Sequence, residues 1–238
     1  MVGHGFAHAT ILSAAQQEAG ISKDSGTDRT SRVLGGIAIA GCVISVVLDF
    51  IGTGISDRVG MIQDTISDLA ASRTENTAAD ELADIGIYAF VLSVIATTYG
   101  LLRWRIDRLD WKIGSWLLVI VAICVVLIAG YEAYTTGEGP VIHYRLVYVL
   151  GVAFPLTVLL TAGQFWEISK RLGIALYTGG ALWAVLGPLF FFVPTDYDGA
   201  YERMLAGLML AWFITMGVMI WRDPDVVEQV SEDQRGHA

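Results

Sequence analysis

The stretch IGSWLLVIVAICVVLIAGYEAY, residues 113–134, decides the fold. Between Ile113 and Tyr131 it carries no Asp, Glu, Lys or Arg. About 20 such residues are what an α-helix needs to cross a hydrocarbon layer of roughly 30 Å. The 3.6-residue polar stripe of a half-buried soluble helix is missing as well. This segment reads as a membrane span.

Five further blocks have the same character. Counted with the first, the spans fall at residues 33–55, 82–104, 113–134, 142–166, 172–193 and 201–221. Composition agrees: 54% of the 238 residues are hydrophobic and 16% charged, against about 25% charged in soluble domains. The expected fold is all-α, an integral membrane bundle of six transmembrane helices. Residues 1–31 read as a disordered cytoplasmic tail, 32–222 as the membrane domain and 223–238 as an acidic cytoplasmic tail. The mildly apolar Gly5–Ala15 stretch lacks a basic n-region and is not read as a signal peptide.

Lysine and arginine set the orientation. With both termini inside, eleven of the 15 basic residues fall on inner segments, and only Arg58, Arg73, Arg145 and Arg203 lie outside. This is the positive-inside pattern of a cell-membrane protein with cytoplasmic ends. Trp104, Trp111, Trp116, Trp166 and Trp221 are placed at the inner interface, and Tyr131, Tyr134, Tyr144, Tyr197 and Tyr201 at the outer one. Short inner connections make spans two and three, and four and five, antiparallel neighbours. Pro155 and Pro188 remove backbone donors inside spans four and five and are expected to kink them. Gly35, Gly36, Ala38, Ala40 and Gly41 in span one permit close approach of another helix.

The net charge of −9 excludes a nucleic-acid surface, and abundant carboxylates with only three lysines suggest a salt-loving source. Cys42 and Cys124 lie inside apolar blocks and read as core residues rather than a disulfide or thiolate ligands.

Polar residues gather on the outer face. In the longest outer connection, about 56–81, Met61, Ile62, Thr65, Ile66 and Leu69 share one helical face and Gln63, Asp64, Ser67 and Asp68 the other. This predicts a short surface helix lying on the membrane or capping the bundle. Thr77 with Asp80 marks the start of the next helix. Asp49, near the outer end of span one, is the costliest residue in the chain, at roughly 2.5–3.5 kcal/mol on insertion scales if it sat at mid-membrane. It is expected to be protonated, paired or beside water: a structural pair with Arg145 or Arg203 is one reading, and an ion or proton site the functional alternative. Glu202 and Arg203, being adjacent, point about 100° apart on a helix and are expected to pair separately.

His143 is the only histidine outside the tails, a proton acceptor or a simple hydrogen-bond partner. Ser67 is a conceivable nucleophile with His143 as base, but no nucleophile elbow or Gly-rich oxyanion segment accompanies it. A catalytic zinc would ask for three protein ligands and finds one His; a calcium or magnesium site of Asp68, Glu132, Asp196 and Asp198 stays open. No cofactor is identified. On the inner side, Arg103, Arg105, Arg108 and Lys112 can meet anionic head groups, although the positive-inside effect accounts for them as well.

The pattern Ile66-Ser67-Asp68-Leu69 after span one, His143 opening span four and Glu202-Arg203 opening the last span resembles domain-of-unknown-function family 998, prokaryotic polytopic membrane proteins. The resemblance covers about residues 33–221, with Ala70 where relatives often carry Gly. It implies a fold and a topology, and no activity.

Three functions are open at this point. The leading one is a non-enzymatic membrane protein whose outward cluster of Asp49, Ser67, Asp68, Glu132, His143, Arg145, Asp196, Glu202 and Arg203 binds a lipid head group, an ion or a membrane-protein partner. The others are a small secondary transporter, and a hydrolase or transferase acting on lipid-linked substrates. The transporter reading is weakened by the absence of a deep charge or an inverted repeat.

Overall fold

A computed structural model describes residues 5–70, 77–130 and 142–222, with side-chain surroundings described from residue 29 onward. The described residues are helical throughout their spans. In chain order they are α1 (Gly5–Ile55), the one-turn α2 (Ile66–Leu69), α3 (Thr77–Arg103), α4 (Leu109–Gly130), α5 (Ile142–Ile168), α6 (Lys170–Leu189) and α7 (Asp198–Trp221). Six helices are long and apolar enough to cross a membrane: 29–55 within α1, then α3, α4, α5, α6 extended to Phe192, and α7.

Helix α1 begins at Gly5, within the stretch read from sequence as a tail. Alanines at 7, 9, 14, 15 and 19, with Leu12, Gln16, Gln17 and Glu18, are good helix formers with no proline among them. Pro155 leaves α5 unbroken. At Pro188 the outcome differs: α6 ends at Leu189 and tightens into a 3₁₀ turn, Phe190–Phe192.

The helices close into a ring. α1 packs on α3 and α7, α4 lies between α3 and α5, α5 adjoins α6, and α6 returns to α7, while α3 and α7 also touch. Small residues set the closest approaches. A Cβ on Gly35 would lie 2.5 Å from the Gly217 carbonyl oxygen, and one on Gly41 2.4 Å from that of Ala89, so α1 can seat against α3 and α7 only where side chains are absent.

Between α5 and α7 the space is filled by rings. Phe154 meets Trp183, Trp212 and Phe213 at centroid distances of 5.3, 5.7 and 6.2 Å, and Phe90 meets Phe213 edge-on at 5.4 Å. Phe154 and Phe213 are stacked and the other three pairs are edge-to-face, the arrangement favoured for aromatic pairs along with offset stacking. Cys42 and Cys124 are buried free thiols, with Cys42 Sγ 3.0 Å from Ser93 Oγ.

Two of the five tryptophans expected at the inner interface are buried in the protein. Trp104 and Trp111 are 6% and 2% exposed, stacked at 5.6 Å and packed on Phe165. They lock the turn between α3 and α4 onto α5. Trp116, Trp166 and Trp221 remain exposed.

Candidate functional site

The site is built where α1 ends and α7 begins, at the end of the bundle that carries the 56–70 loop. The loop is organised by its own polar side chains. Ser56 Oγ accepts from Val59 N at 3.0 Å, and Asp64 Oδ2 accepts from Gly60 N at 2.7 Å. Thr65 then caps α2 reciprocally: its hydroxyl accepts from Asp68 N at 3.0 Å, while Asp68 Oδ2 accepts from Thr65 N and Oγ1 at 3.0 and 2.7 Å. This capping box shortens the expected surface helix to a single turn, Ile66–Leu69. Thr65 and Leu69 are buried, so α2 caps the bundle with that face.

Arg203 binds the loop to two helices. Of the two arginines offered to Asp49, the structure pairs it with Arg203: Nε and Nη2 donate to Oδ2 and Oδ1 at 3.0 and 3.1 Å. Nη2 also donates to Thr53 Oγ1 at 3.1 Å, and Nη1 to the carbonyls of Asp64, Met61 and Gly199 at 2.8, 3.0 and 3.3 Å. All the donors of the guanidinium fork are thereby used. The pair is 12% and 13% exposed. Beside it, Ala200 N donates to Ile62 O at 2.9 Å, and Gly199 passes so close that a Cβ would stand 2.1 Å from Asp64 O. Only glycine fits between the last helix and the loop.

Glu202 turns the other way. Its Oε2 accepts from Ile66 N at 2.5 Å, so a carboxylate from α7 takes up an otherwise orphaned donor at the start of α2. Its Oε1 lies 3.5 Å from Ser67 Oγ, which in turn is 3.3 Å from His143 Nε2 at the first turn of α5. His143 is 7% exposed. Glu202, Ser67 and His143 thus form a polar row drawn from three helices.

That row and the Asp49–Arg203 pair border a partly open cavity of about 680 Å³ lined by α1, α3, α4, α5, α6 and α7. Its remaining walls are almost wholly apolar, with Phe50, Phe90, Trp183, Phe190 and Phe191 among them. Tyr148 and Phe191 stack at 4.5 Å on its rim, and Phe192 there is 82% exposed. Phe154 and Phe213, fully buried, close the bundle below.

Not every predicted site residue joins. Arg145 and Asp196 are exposed and do not line the cavity, Asp68 is spent on the α2 cap, and Glu132 lies outside the described residues. Among the described residues no three His, Cys, Asp or Glu side chains converge to hold a metal. At the opposite end the basic cluster is dispersed. Arg108 pairs with Asp110 at 2.9 Å, Lys112 pairs with Asp107, and Arg103 reaches Ser31 Oγ at 3.5 Å. Lys112 holds the exposed Asp107 carboxyl below the ordinary carboxylate range.

Serine 67, His143 and Glu202-Arg203, far apart in sequence, converge in space, and the family described as "Protein of unknown function (DUF998)" matches residues 39–219. The chain belongs to this family. The DUF998 match takes in every residue of the polar row, the Asp49–Arg203 pair and the cavity wall. No curated protein and no solved structure matches the chain.

The site residues that sequence reading passed over are Thr53, Gly199 and the aromatic walls. A capping signal was present in Thr65-x-x-Asp68. Gly199 carried none, since nothing local distinguishes a glycine pressed on a distant loop.

Proposed function

We propose that this multi-pass membrane protein binds one amphiphile in the cavity, its head at Ser67, His143 and Glu202 and its chain along the apolar walls. The observation that carries this is the cavity's division into a polar end and an apolar remainder. Its volume, about 680 Å³, falls within the roughly 300–1,000 Å³ typical of small-molecule sites. The distribution of Lys and Arg supports an outward-facing polar end in the cell membrane, with both termini cytoplasmic.

Retention fits better than passage. Below the cavity lie the buried rings of Phe154 and Phe213. Deeper in the bundle Thr98, Thr157 and Thr161 return their hydroxyls to Val94 O, Ala153 O and Thr157 O of their own helices, Ser93 donates to Ala38 O of α1, and Thr97 Oγ1 and Ser115 Oγ are buried without a hydrogen-bond partner among the described residues.

Native mass spectrometry of protein extracted gently from its own membranes tests the reading. One amphiphile mass per chain is expected, lost in Gly151→Phe, because Gly151 lines the cavity with nothing within 4 Å of its Cβ position. An extra mass that persists in this variant, or an apo protein from several mild detergents, counts against it.

A second reading draws on the 3.3 Å contact between Ser67 Oγ and His143 Nε2, the geometry of a nucleophile beside its base. Covalent labelling of Ser67 by a fluorophosphonate, abolished in His143→Gln, would favour a hydrolase or transferase. An unlabelled Ser67 would leave binding alone.

A further inference from the structure

The head chemistry can be narrowed, on the reading that the cavity holds an amphiphile. The formally charged groups on the cavity wall are Asp49, Glu202 and Arg203. Arg203 is fully engaged with Asp49, Thr53 and three carbonyls, so it has no N–H left for an incoming phosphate or carboxylate. Asp49 is neutralised in the same act. Among the described residues Glu202 is the cavity carboxylate without a salt bridge: it accepts from Ile66 N and the Ser67 hydroxyl, and the nearby Arg203 charge is already shared with Asp49. A carboxylate withdrawn from water without a counter-charge is costly, and a cation arriving with the ligand would offset that cost.

The walls point the same way. The rim carries the stacked Tyr148 and Phe191 rings, with Phe190 against Phe191 at 5.6 Å. Aromatic faces attract ammonium groups and give no such preference to carboxylates or phosphates. The loop carboxylate Asp68 adds negative potential at Glu202 and no competing donor.

We infer that the cavity selects amphiphiles whose head is a protonated amine, the ammonium lying between Glu202 and the aromatic rim with Ser67 and His143 as further hydrogen-bond partners. Sources of such a head include amine-bearing phospholipids and long-chain bases; the recognised chemistry is the ammonium on an alkyl tail.

Three probes with one tail and different heads decide it: dodecylamine, dodecanol and dodecanoate, titrated into the delipidated full-length protein in a neutral detergent. Binding is read from tryptophan fluorescence, Trp183 lining the cavity, and stoichiometry from native mass spectra. Dodecylamine should bind one per chain and at least about tenfold more tightly than dodecanol, with dodecanoate weakest, since a hydrogen bond to a charged group is worth that or more. Glu202→Gln, which keeps an acceptor for Ile66 N, should bring amine and alcohol to near parity. Equal binding of the three by the wild type, or a preference for dodecanoate, overturns the ammonium assignment while leaving the cavity occupied. Failure of all three to bind one per chain, or binding unchanged in Gly151→Phe, removes the cavity reading itself and this inference with it.

Discussion

Arg203 shows how far one side chain can carry a local structure. It neutralises Asp49 and also satisfies backbone carbonyls in the loop, so it cannot be replaced by charge alone. Arg203→Lys loses the fork and leaves most of those acceptors bare; a loss of about 3–5 kcal/mol is expected, as for breaking a buried pair, measured by thermal unfolding in detergent. Exchanging the charges, Asp49→Arg with Arg203→Asp, should fail to rescue, because an aspartate at 203 would face the Met61 and Asp64 oxygens. Recovery to wild-type stability in the swap would mean that the carbonyl contacts contribute nothing. Gly199→Ala sets a methyl 2.1 Å from Asp64 O and should cost at least about 1–3 kcal/mol, as overpacking does; a melting temperature within error of wild type would contradict the close seating. Residue chemistry was partly legible. That Asp49, if charged, needs a partner or water follows from the cost of a charge in lipid, and that Glu202 and Arg203 diverge follows from helix geometry. Which arginine answers Asp49 did not follow, since both stand at the same membrane level.

Among the elements, the spans were legible and the short pieces were not. Hydrophobic blocks announce a crossing helix over its whole length, and the observed helices begin or end within about five residues of the sequence boundaries. The one-turn α2 was overestimated, because apolar spacing cannot register that Thr65 terminates the backward run by capping. Thr65→Ala should cost about 1 kcal/mol and raise amide exchange at Ser67 and Asp68, whose helix start it removes; unchanged protection there would show Glu202 to be a sufficient cap. Between α3 and α4, Arg105 adopts φ 49°, a left-handed conformation that L side chains enter at a cost. Arg105→Gly should gain about 0.5–1 kcal/mol in the same melting assay, with a decrease counting against a strained turn. Trp104 and Trp111 were read as interfacial from their place at helix ends, whereas stacking on Phe165 buries them.

For the whole molecule, the cavity was the feature least accessible to sequence. An apolar side chain in a membrane helix reads alike whether it meets lipid, another helix or empty space; only the ring of helices assigns Phe50 or Trp183 to a wall. Gly151 and Gly207 make the assignment testable, since nothing stands within 4 Å of a Cβ at either. Gly151→Ala and Gly207→Ala should be neutral or stabilising by up to about 1 kcal/mol, whereas Gly151→Phe should empty the site without unfolding the chain. A Gly151→Phe protein that melts well below wild type would mean the space is filled by packing the helices do not show.

The 56–70 loop beside this cavity is fastened by the last helix: Ala200, Glu202 and Arg203 of α7 make long-range hydrogen bonds to it, and Gly199 packs directly on Asp64. A chain emerging from the ribosome can seat Leu69 against α3 and Ser67 beside His143 of α5, yet the loop carbonyls of Met61, Ile62 and Asp64 wait for the last span. The latch is complete only with that final insertion, and a nascent chain stalled before it would expose to quality control the very polar backbone that the finished protein conceals.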